Sequence, residues 1–294
     1  LRAKKTKSGY DIELGKTFGL HKSIWRDTRY DANGYGTSIL KDLVPDSPFD
    51  FPKSLWAVYD MVESVVRGSS SEIVLDFFGG SGTTGHAVME LNAAEGTQHR
   101  YILVQIPEPV KGHPRFSTIA ELTRERLRCA GEKVMSDHPD SAIDAGFRVY
   151  KLATSNIKPW QPGEDFETDL LDATNNVLPG RSEEDLLAEL LLKTGIDLAL
   201  PSQQRDIGGL TVHSFGGGTL IVCLADIAAS EAQTLGDGIA DWLLELAAVA
   251  PTTFFFKDSG FDVGGSRSAE ARANLSATLR QRLGDEAIER LGAI

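Results

Sequence analysis

The residues best suited to chemistry are a carboxylate and a run of glycines that follow one short apolar segment. Asp76 ends that segment, Ile73–Asp76, and the chain continues as Phe77-Phe-Gly-Gly-Ser-Gly-Thr-Thr-Gly85. A buried strand that ends in a glycine-rich turn presents open backbone N–H groups and a helix N-terminus at the edge of a sheet. Asp76 adds a carboxylate that a hydroxyl-rich or cationic ligand could meet. The stretch therefore predicts a site for the polar end of a cofactor.

The glycine spacing is compatible with more than one cofactor. Gly80-x-Gly82-x-x-Gly85 fits the dinucleotide fingerprint, and Gln105 lies about where that motif places an acidic residue. Gln105 is not acidic, however, and no lysine follows the glycines as in nucleoside-triphosphate P-loops. The order from Asp76 through Phe78 to Thr84 instead resembles the cofactor loop of amino-group DNA methyltransferases that use S-adenosylmethionine. A nicotinamide-dependent oxidoreductase and a glycine turn in an unrelated α/β domain stay open as alternatives.

Composition indicates a globular protein with an uneven charge distribution. The 294 residues are 41% apolar and 24% charged, with a net charge of −12. Residues 1–35 carry eight Lys/Arg against four Asp/Glu, whereas residues 161–294 carry nine against twenty-two. We therefore expect DNA contact, if any, at the basic start, where Lys4, Lys5 and Lys7 could also be a solvated tail. No run of eighteen apolar residues predicts a membrane span.

The two cysteines do not suggest a metal site. Cys129 and Cys223 lie far apart and without metal-ligand spacing, which favours free thiols in a reducing cytoplasm. His86 follows the glycine loop with no second ligand candidate, so we interpret it as a histidine on a helix face or at a helix cap. The sequence predicts no metal centre.

The elements around the loop form one βαβ pattern. Apolar periodicity predicts a helix at about 53–66, the strand that ends at Asp76, a helix at about 83–93 and a strand over Tyr101–Ile106. This order implies a parallel sheet covered by helices. A further helix is predicted at about 117–135, opened by a possible capping box, Thr118-x-x-Glu121. Its solvated face is expected to carry three arginines: Arg124, Arg126 and Arg128.

A second domain is expected after a polar linker. We predict one region at 1–50 with loops and a few short strands, including Lys22–Arg26, a cofactor-binding part at 51–138, and a C-terminal domain at 145–294. Strands are predicted at Gly146–Leu152, Leu210–Phe215, Thr219–Leu224 and Thr252–Lys257, an acidic loop at Asp165–Gly180, and helices near 182–194, 230–249 and 269–283. Gly216–Gly218 marks a hairpin. The pattern predicts a small α/β or α+β module.

Several segments together resemble the C-terminal part of the modification subunit of type III restriction–modification systems. They are Phe51-Pro-Lys53, the Asp76–Thr84 loop, Tyr101-Ile-Leu-Val-Gln-Ile-Pro-Glu108, Gly146-Phe-Arg-Val-Tyr-Lys-Leu152, Ser155-Asn-Ile-Lys-Pro-Trp160 and Phe256-Lys-Asp-Ser-Gly-Phe261. The resemblance covers the chain from about residue 20. It implies an α/β fold: a Rossmann-like methyltransferase half-domain with a parallel sheet, plus a smaller C-terminal domain. The implied activity is methylation of the exocyclic N6 of a flipped adenine in DNA.

The same resemblance implies which residues bind S-adenosylmethionine. Phe78, Gly80 and Gly82 would wrap the methionine part, and Asp76 would lie near its amino group. Lys53 would attract the carboxylate, and Gln105 or Glu108 would meet the ribose hydroxyls. The implied set is Pro52, Lys53, Asp76, Phe78, Gly79, Gly80, Ser81, Gly82, Thr83, Thr84, Gln105 and Glu108.

The catalytic segment of that family is not found in this sequence. The family orients the adenine amine with an Asp/Asn-Pro-Pro-aromatic tetrapeptide, which occurs nowhere in these 294 residues. Asn156-Ile-Lys-Pro-Trp160 has one proline and the wrong spacing, so we interpret Trp160 as packing or linker. We assign no catalytic residue and, with the leucine start, expect a truncated chain. The implied partners are DNA, a restriction subunit and a second modification subunit; a non-catalytic assembly module is the alternative.

Overall fold

Two units of the chain, Leu1–Val149 and Tyr150–Ile294, each build their own hydrophobic core. The structure, a computed structural model, describes residues 2–6, 9–13, 25–159, 177–262 and 268–294. Trp160, most of the acidic loop predicted at Asp165–Gly180 and part of the strand predicted at Lys22–Arg26 therefore lie outside the described residues.

In the first unit, a parallel pair of strands carries the glycine turn. The strands are β1 (Arg2–Thr6), β2 (Gly9–Glu13), β3 (Ile73–Asp76) and β4 (Arg100–Leu103). The helices are α1 (Ser38–Leu43, preceded by a π-helical turn at Asn33–Thr37), α2 (Leu55–Val66), α3 (Thr83–Glu95) and α4 (Ile119–Asp137). β1 and β2 are antiparallel, whereas β3 and β4 are parallel with Asp76 opposite Leu103. The predicted β–α–β unit is confirmed.

Side-chain caps determine where the helices begin. The Ser54 hydroxyl accepts from the backbone N–H of Ala57 at the start of α2. At α4, Thr118 accepts from the N–H of Glu121 at 3.3 Å. The Glu121 carboxylate in turn accepts from the backbone N–H of Ser117 at 2.7 Å, so the reciprocal half of the predicted capping box is displaced by one residue.

Helices cover one face of the β3–β4 pair and leave the other exposed. Val74, Tyr101 and Leu103 point to the covered face, where they pack against buried side chains of α2, α3 and α4. The opposite face carries the exposed Arg100 and, continuing past the strand ends, a set of apolar side chains that are between 44% and 74% exposed: Ile73, Leu75, Phe77, Ile102, Val104 and Ile106. Parallel sheets are normally covered on both faces. We call this set the open apolar face.

The second unit is a mixed sheet with helices on both faces. Its strands are β5 (Ser202–Ile207), β6 (Leu210–Phe215), β7 (Leu220–Cys223), β8 (Thr252–Phe256) and β9 (Ile288–Ala293), in that spatial order. Its helices are α5 (Glu183–Thr194), α6 (Ala232–Leu246) and α7 (Ser268–Leu283). β5, β6 and β7 are antiparallel neighbours, and β7, β8 and β9 are parallel.

Alternation along the central strands assigns each side chain to one layer. Ile221 and Phe254 pack with the buried stripes of α6 and α7. Leu220, Val222 and Phe255 pack with the leucines of α5 on the opposite face. The second unit is therefore a three-layer α/β module, and Gly216–Gly218 connects β6 to β7 as the predicted hairpin.

Some predicted elements differ from the structure. The strand expected at Gly146–Leu152 is wrong, because this segment has no partner strand and the Leu152 side chain is fully exposed. β5 and β9 were not predicted. β5 is an edge strand with a largely polar sequence, Ser-Gln-Gln-Arg-Asp-Ile, so it lacks the apolar alternation that marks a half-buried strand.

Candidate functional site

The turn between β3 and α3 adopts backbone conformations that favour glycine at two positions. Gly80 and Gly82 have φ values of 51° and 84°, in the left-handed region. The Gly79 N–H donates to the Val104 carbonyl at 3.0 Å, and the Gly82 N–H donates to the Gly79 carbonyl at 2.7 Å. A Cβ on Gly85 would lie 2.6 Å from the Leu127 side chain, so the start of α3 packs directly on α4. The turn is thus held at the carboxyl end of the parallel pair.

Asp76 closes the turn from the strand side. One carboxylate oxygen accepts from the Thr84 hydroxyl at 2.6 Å, and the other accepts from the Phe78 N–H at 2.9 Å. The carboxylate therefore joins the end of β3 to the first turn of α3 and fixes the backbone between them.

Gln105 supports the same turn from the segment that follows β4. Its side-chain oxygen accepts from the Gly80 N–H at 2.7 Å, and its NH₂ group donates to the Ile106 carbonyl at 2.9 Å. Glu108 is exposed, and its backbone carbonyl accepts from the Ile119 N–H at 2.9 Å. Gln105 thus orients the loop backbone in this structure; its predicted contact with ribose hydroxyls stays a prediction, as does that of Glu108.

Two side chains of α4 donate hydrogen bonds to the turn. The Thr123 hydroxyl donates to the Gly80 carbonyl at 2.5 Å. Arg126 donates from Nη1 to the Ser81 hydroxyl at 2.6 Å and to the Thr83 hydroxyl at 2.7 Å. Neither residue was singled out as a site residue from the sequence.

Arg126 corrects one expectation directly. The predicted solvated face holds for Arg124 and Arg128, whose side chains are 50% and 51% exposed, but Arg126 is 0% exposed. Burial lowers the pKa of Arg126 to about 10. The helical period indicates this burial, because Arg126 lies four residues after Leu122 and four before Ala130, which are both fully buried.

Phe49 and Phe78 lie at the turn, and Phe51 lies in the segment that precedes α2. Phe51 and Phe78 are each 89% exposed, and Phe51 has a φ of 57°. Pro52 is buried. Its carbonyl lies so close to Gly36 that a Cβ on Gly36 would be 2.4 Å from it. Lys53 is exposed. The Phe49 ring lies against Gly80, where an added Cβ would be 3.4 Å from it.

His86 lies on α3, in agreement with the helix-face interpretation, and its side chain is buried. Its Nε2 lies 3.5 Å from a Glu90 carboxylate oxygen, and the other oxygen lies 3.6 Å from the Nε2 of His138. Burial lowers the pKa of His86, although Glu90 opposes this effect.

The described ranges contain neither a metal-ligand cluster nor a disulfide. No group of three His, Cys, Asp or Glu side chains there is arranged to hold a metal ion. Cys129 is partly exposed and Cys223 is buried, and both are free. None of the helices in those ranges combines the length and apolarity required for a membrane span.

Comparison with known proteins gives a consistent result. No protein-family model matches the sequence. The chain is 34% identical over 191 residues to the Mod subunit of the type III restriction-modification enzyme EcoP15I of Escherichia coli, a match that covers 62% of this chain and 28% of that subunit. It is 34% identical over 128 residues to the StyLTI Mod subunit of Salmonella typhimurium, covering 42% of this chain and 19% of that subunit. It is 28% identical over 204 residues to the EcoPI Mod subunit of Escherichia phage P1, covering 67% and 30%.

These matches confirm the resemblance to type III modification subunits that the sequence motifs indicate. Each match spans less than a third of the curated relative, whereas two of them span more than half of this chain. The chain is therefore related to the modification subunits of type III restriction–modification enzymes and corresponds to a part of such a subunit.

Proposed function

We propose that this chain is the S-adenosylmethionine-binding part of a site-specific DNA adenine-N6 methyltransferase. The observation that carries the proposal is the glycine turn at the carboxyl end of the β3–β4 pair, clamped by Asp76, in a chain whose relatives are Mod subunits. In open α/β sheets, ligands bind outside the carboxyl ends of the parallel strands. We infer a Rossmann-like methyltransferase half-domain for the first unit on this basis.

The residues of the turn fit the amino-acid end of this cofactor. Gly80 and Gly82 adopt left-handed conformations that side chains disfavour, so the backbone stays open to close approach. The first N–H groups of α3 have no carbonyl one turn earlier within the helix and favour a carboxylate. Lys53 is exposed and adds a cation directly after Phe51-Pro52, the segment that would close the pocket.

Each proposed residue then has a positional role. Asp76 lies at the strand end, where it would meet the cofactor ammonium group. Phe78 and Phe51 offer apolar surface that shields the ligand from water, and Gln105 and Glu108 are the candidates for the ribose hydroxyls. When bound, S-adenosylmethionine supplies an electrophilic methyl group, and this chain's residues hold and orient it.

The open apolar face supports completion of the domain by a further layer. Six large apolar side chains on one face of a parallel pair would normally be covered. We propose that the layer that covers them carries the Asp/Asn-Pro-Pro-aromatic segment and presents the flipped adenine. The proposed partners are DNA, the restriction subunit of the same system and a second modification subunit.

Calorimetric titration of the full chain tests cofactor binding. We expect S-adenosylhomocysteine and S-adenosylmethionine to bind and NAD not to bind; binding of NAD alone would overturn the proposal in favour of an oxidoreductase. Gly80→Ala should weaken binding at least tenfold, because the residue has a φ of 51° and faces the Phe49 ring. Gly68→Ala is the matched control: its φ is 86°, but a Cβ there meets nothing within 4 Å.

A methyl-transfer assay separates the enzyme from an assembly module. We expect the isolated chain to bind the cofactor and to transfer no labelled methyl group to DNA. Transfer by the chain alone would contradict the assignment of the catalytic segment to another layer.

A further inference from the structure

Arg126 is a fully buried cation that the fold alone does not explain. Its exposure is 0%, and none of the carboxylates in the described ranges forms an ion pair with it. Its Nε and Nη2 atoms are buried without a hydrogen-bond partner. An uncompensated buried charge is among the more costly features a fold can contain. Such a group is therefore expected to have a counter-charge in the functional state.

The contacts of Arg126 direct it to the start of α3. Nη1 donates to the hydroxyls of Ser81 and Thr83 at 2.6 and 2.7 Å and approaches the Ser81 carbonyl at 3.4 Å. A helix N-terminus already carries partial positive charge from its free N–H groups. A cation beneath the same turn adds to that charge instead of balancing it. The two features together favour an anion on the opposite side of the turn.

We propose that Arg126 is a positioning residue for the anionic end of the ligand that the glycine turn binds. Through Ser81 and Thr83 it fixes the direction of the first N–H groups of α3, and its charge is balanced when a ligand carboxylate docks on that turn. It acts through the turn and does not touch the ligand. This inference rests on the proposed binding of S-adenosylmethionine, whose methionine part supplies the carboxylate.

The alternative is a purely structural tie between α4 and the turn. The two roles differ in ligand selectivity. Loss of a purely structural tie displaces the whole turn and weakens every ligand, whereas loss of the charge, or of the contacts that aim the first N–H groups of α3, weakens only ligands with a carboxylate. S-adenosylhomocysteine contains the amino-acid end, and 5′-methylthioadenosine lacks it. The ratio of their dissociation constants therefore isolates the recognition of that end.

The experiment is calorimetric titration of the full chain with both ligands. The wild type should bind S-adenosylhomocysteine at least tenfold more tightly than 5′-methylthioadenosine. Arg126→Gln should reduce that ratio at least fivefold and leave 5′-methylthioadenosine affinity within twofold, while Arg126→Lys restores part of the ratio. Arg124→Gln, on the exposed face of α4, is the matched control and should leave the ratio unchanged.

A second variant covers the case in which Arg126→Gln does not fold. Thr83→Val keeps the side-chain volume, removes the hydroxyl that Arg126 contacts, and should lower the ratio in the same selective way. Equal loss of both ligands in the folded variants, or a wild-type ratio near one, would overturn the inference. Failure of the wild type to bind either ligand would instead reject the proposed function.

Discussion

The carboxylate of Asp76 accepts a 2.6 Å hydrogen bond from the hydroxyl of Thr84, which lies eight residues later at the start of α3. The same carboxylate accepts from the Phe78 N–H, so both ends of the glycine turn depend on one side chain. A turn that is fixed before the ligand arrives loses less conformational entropy on binding. The geometry of the turn therefore depends on residues that hold each other in place before the proposed ligand binds.

Removing this clamp should affect both stability and binding. Asp76→Ala leaves the Phe78 N–H and the Thr84 hydroxyl without their acceptor, which we expect to cost about 1–3 kcal/mol of unfolding free energy in the first unit. Urea denaturation measures the loss of unfolding free energy, and hydrogen exchange of the α3 amides shows where in the first unit it occurs. Thr84→Ser retains the hydroxyl and should behave like the wild type, whereas Thr84→Val should show part of the Asp76→Ala effect. Unchanged exchange in Asp76→Ala would contradict the clamp.

Gln105 gives a second prediction about the same turn. Its oxygen is the acceptor for the Gly80 N–H at 2.7 Å, so Gln105→Ala should leave that N–H less protected. We expect faster hydrogen exchange at Gly80 and a several-fold weaker affinity for S-adenosylhomocysteine. Gln98→Ala is the control, because Gln98 is exposed and its amide only reaches the Ala142 carbonyl, at 3.4 Å. Equal effects of both variants would show that Gln105 has no special role.

The sequence was most informative where local pattern and tertiary structure agree. The strand that ends at Asp76, the glycine turn and the following helix were predicted because apolar periodicity and glycine punctuation are local signals. β5 and β9, the two edge strands of the second-unit sheet, were missed for different reasons. β5 pairs with the next strand, β6, but its sequence is largely polar, whereas the pairing of β9 depends on β8, which is distant in sequence. Gly146–Leu152 has a strand-like sequence but forms no strand, because a strand also needs a hydrogen-bonded partner.

The residues that support the site were harder to predict than the site itself. Thr123 and Arg126 act on the turn from more than forty positions away in sequence. Arginine is usually exposed, so its type suggested a solvated face. Only its i, i+4 spacing with Leu122 and Ala130 indicated burial, and the sequence alone did not show what the guanidinium would meet.

His86 predicts a pH dependence of the first unit. Burial lowers its pKa, while Glu90 raises it and Arg126 and Lys133, both on α4, lower it. Because the folded pKa lies below the unfolded value of 6.5, the unfolded chain binds the proton more readily. Stability should therefore be full above pH 6.5 and decrease as the pH falls below it. His86→Gln should flatten this decrease between pH 7 and 5, as measured by hydrogen exchange of α3 amides at each pH; an unchanged slope would contradict it.

Glu189 predicts a separate acid transition in the second unit. Burial opposes its ionisation, but hydrogen bonds from Lys193, Ser155 and the Asn156 N–H outweigh burial and lower the pKa of the carboxyl to about 2. The donor–acceptor distances are 2.7, 2.5 and 2.6 Å. A lowered carboxyl pKa contributes stability above the ordinary value of 4.5, and this is lost as the pH falls from there towards about 2.

Substitution of Glu189 should therefore change how the stability of the second unit depends on pH in the acidic range. Glu189→Gln should be less stable than the wild type at pH 7 and should approach it near pH 2, because the wild-type carboxyl is then protonated as well. Hydrogen exchange of α5 amides across this range measures the difference, and Glu289→Gln, at an exposed position in the same unit, is the control. A constant difference between wild type and Glu189→Gln at every pH would mean that packing, and not the charge of Glu189, stabilises the start of the second unit.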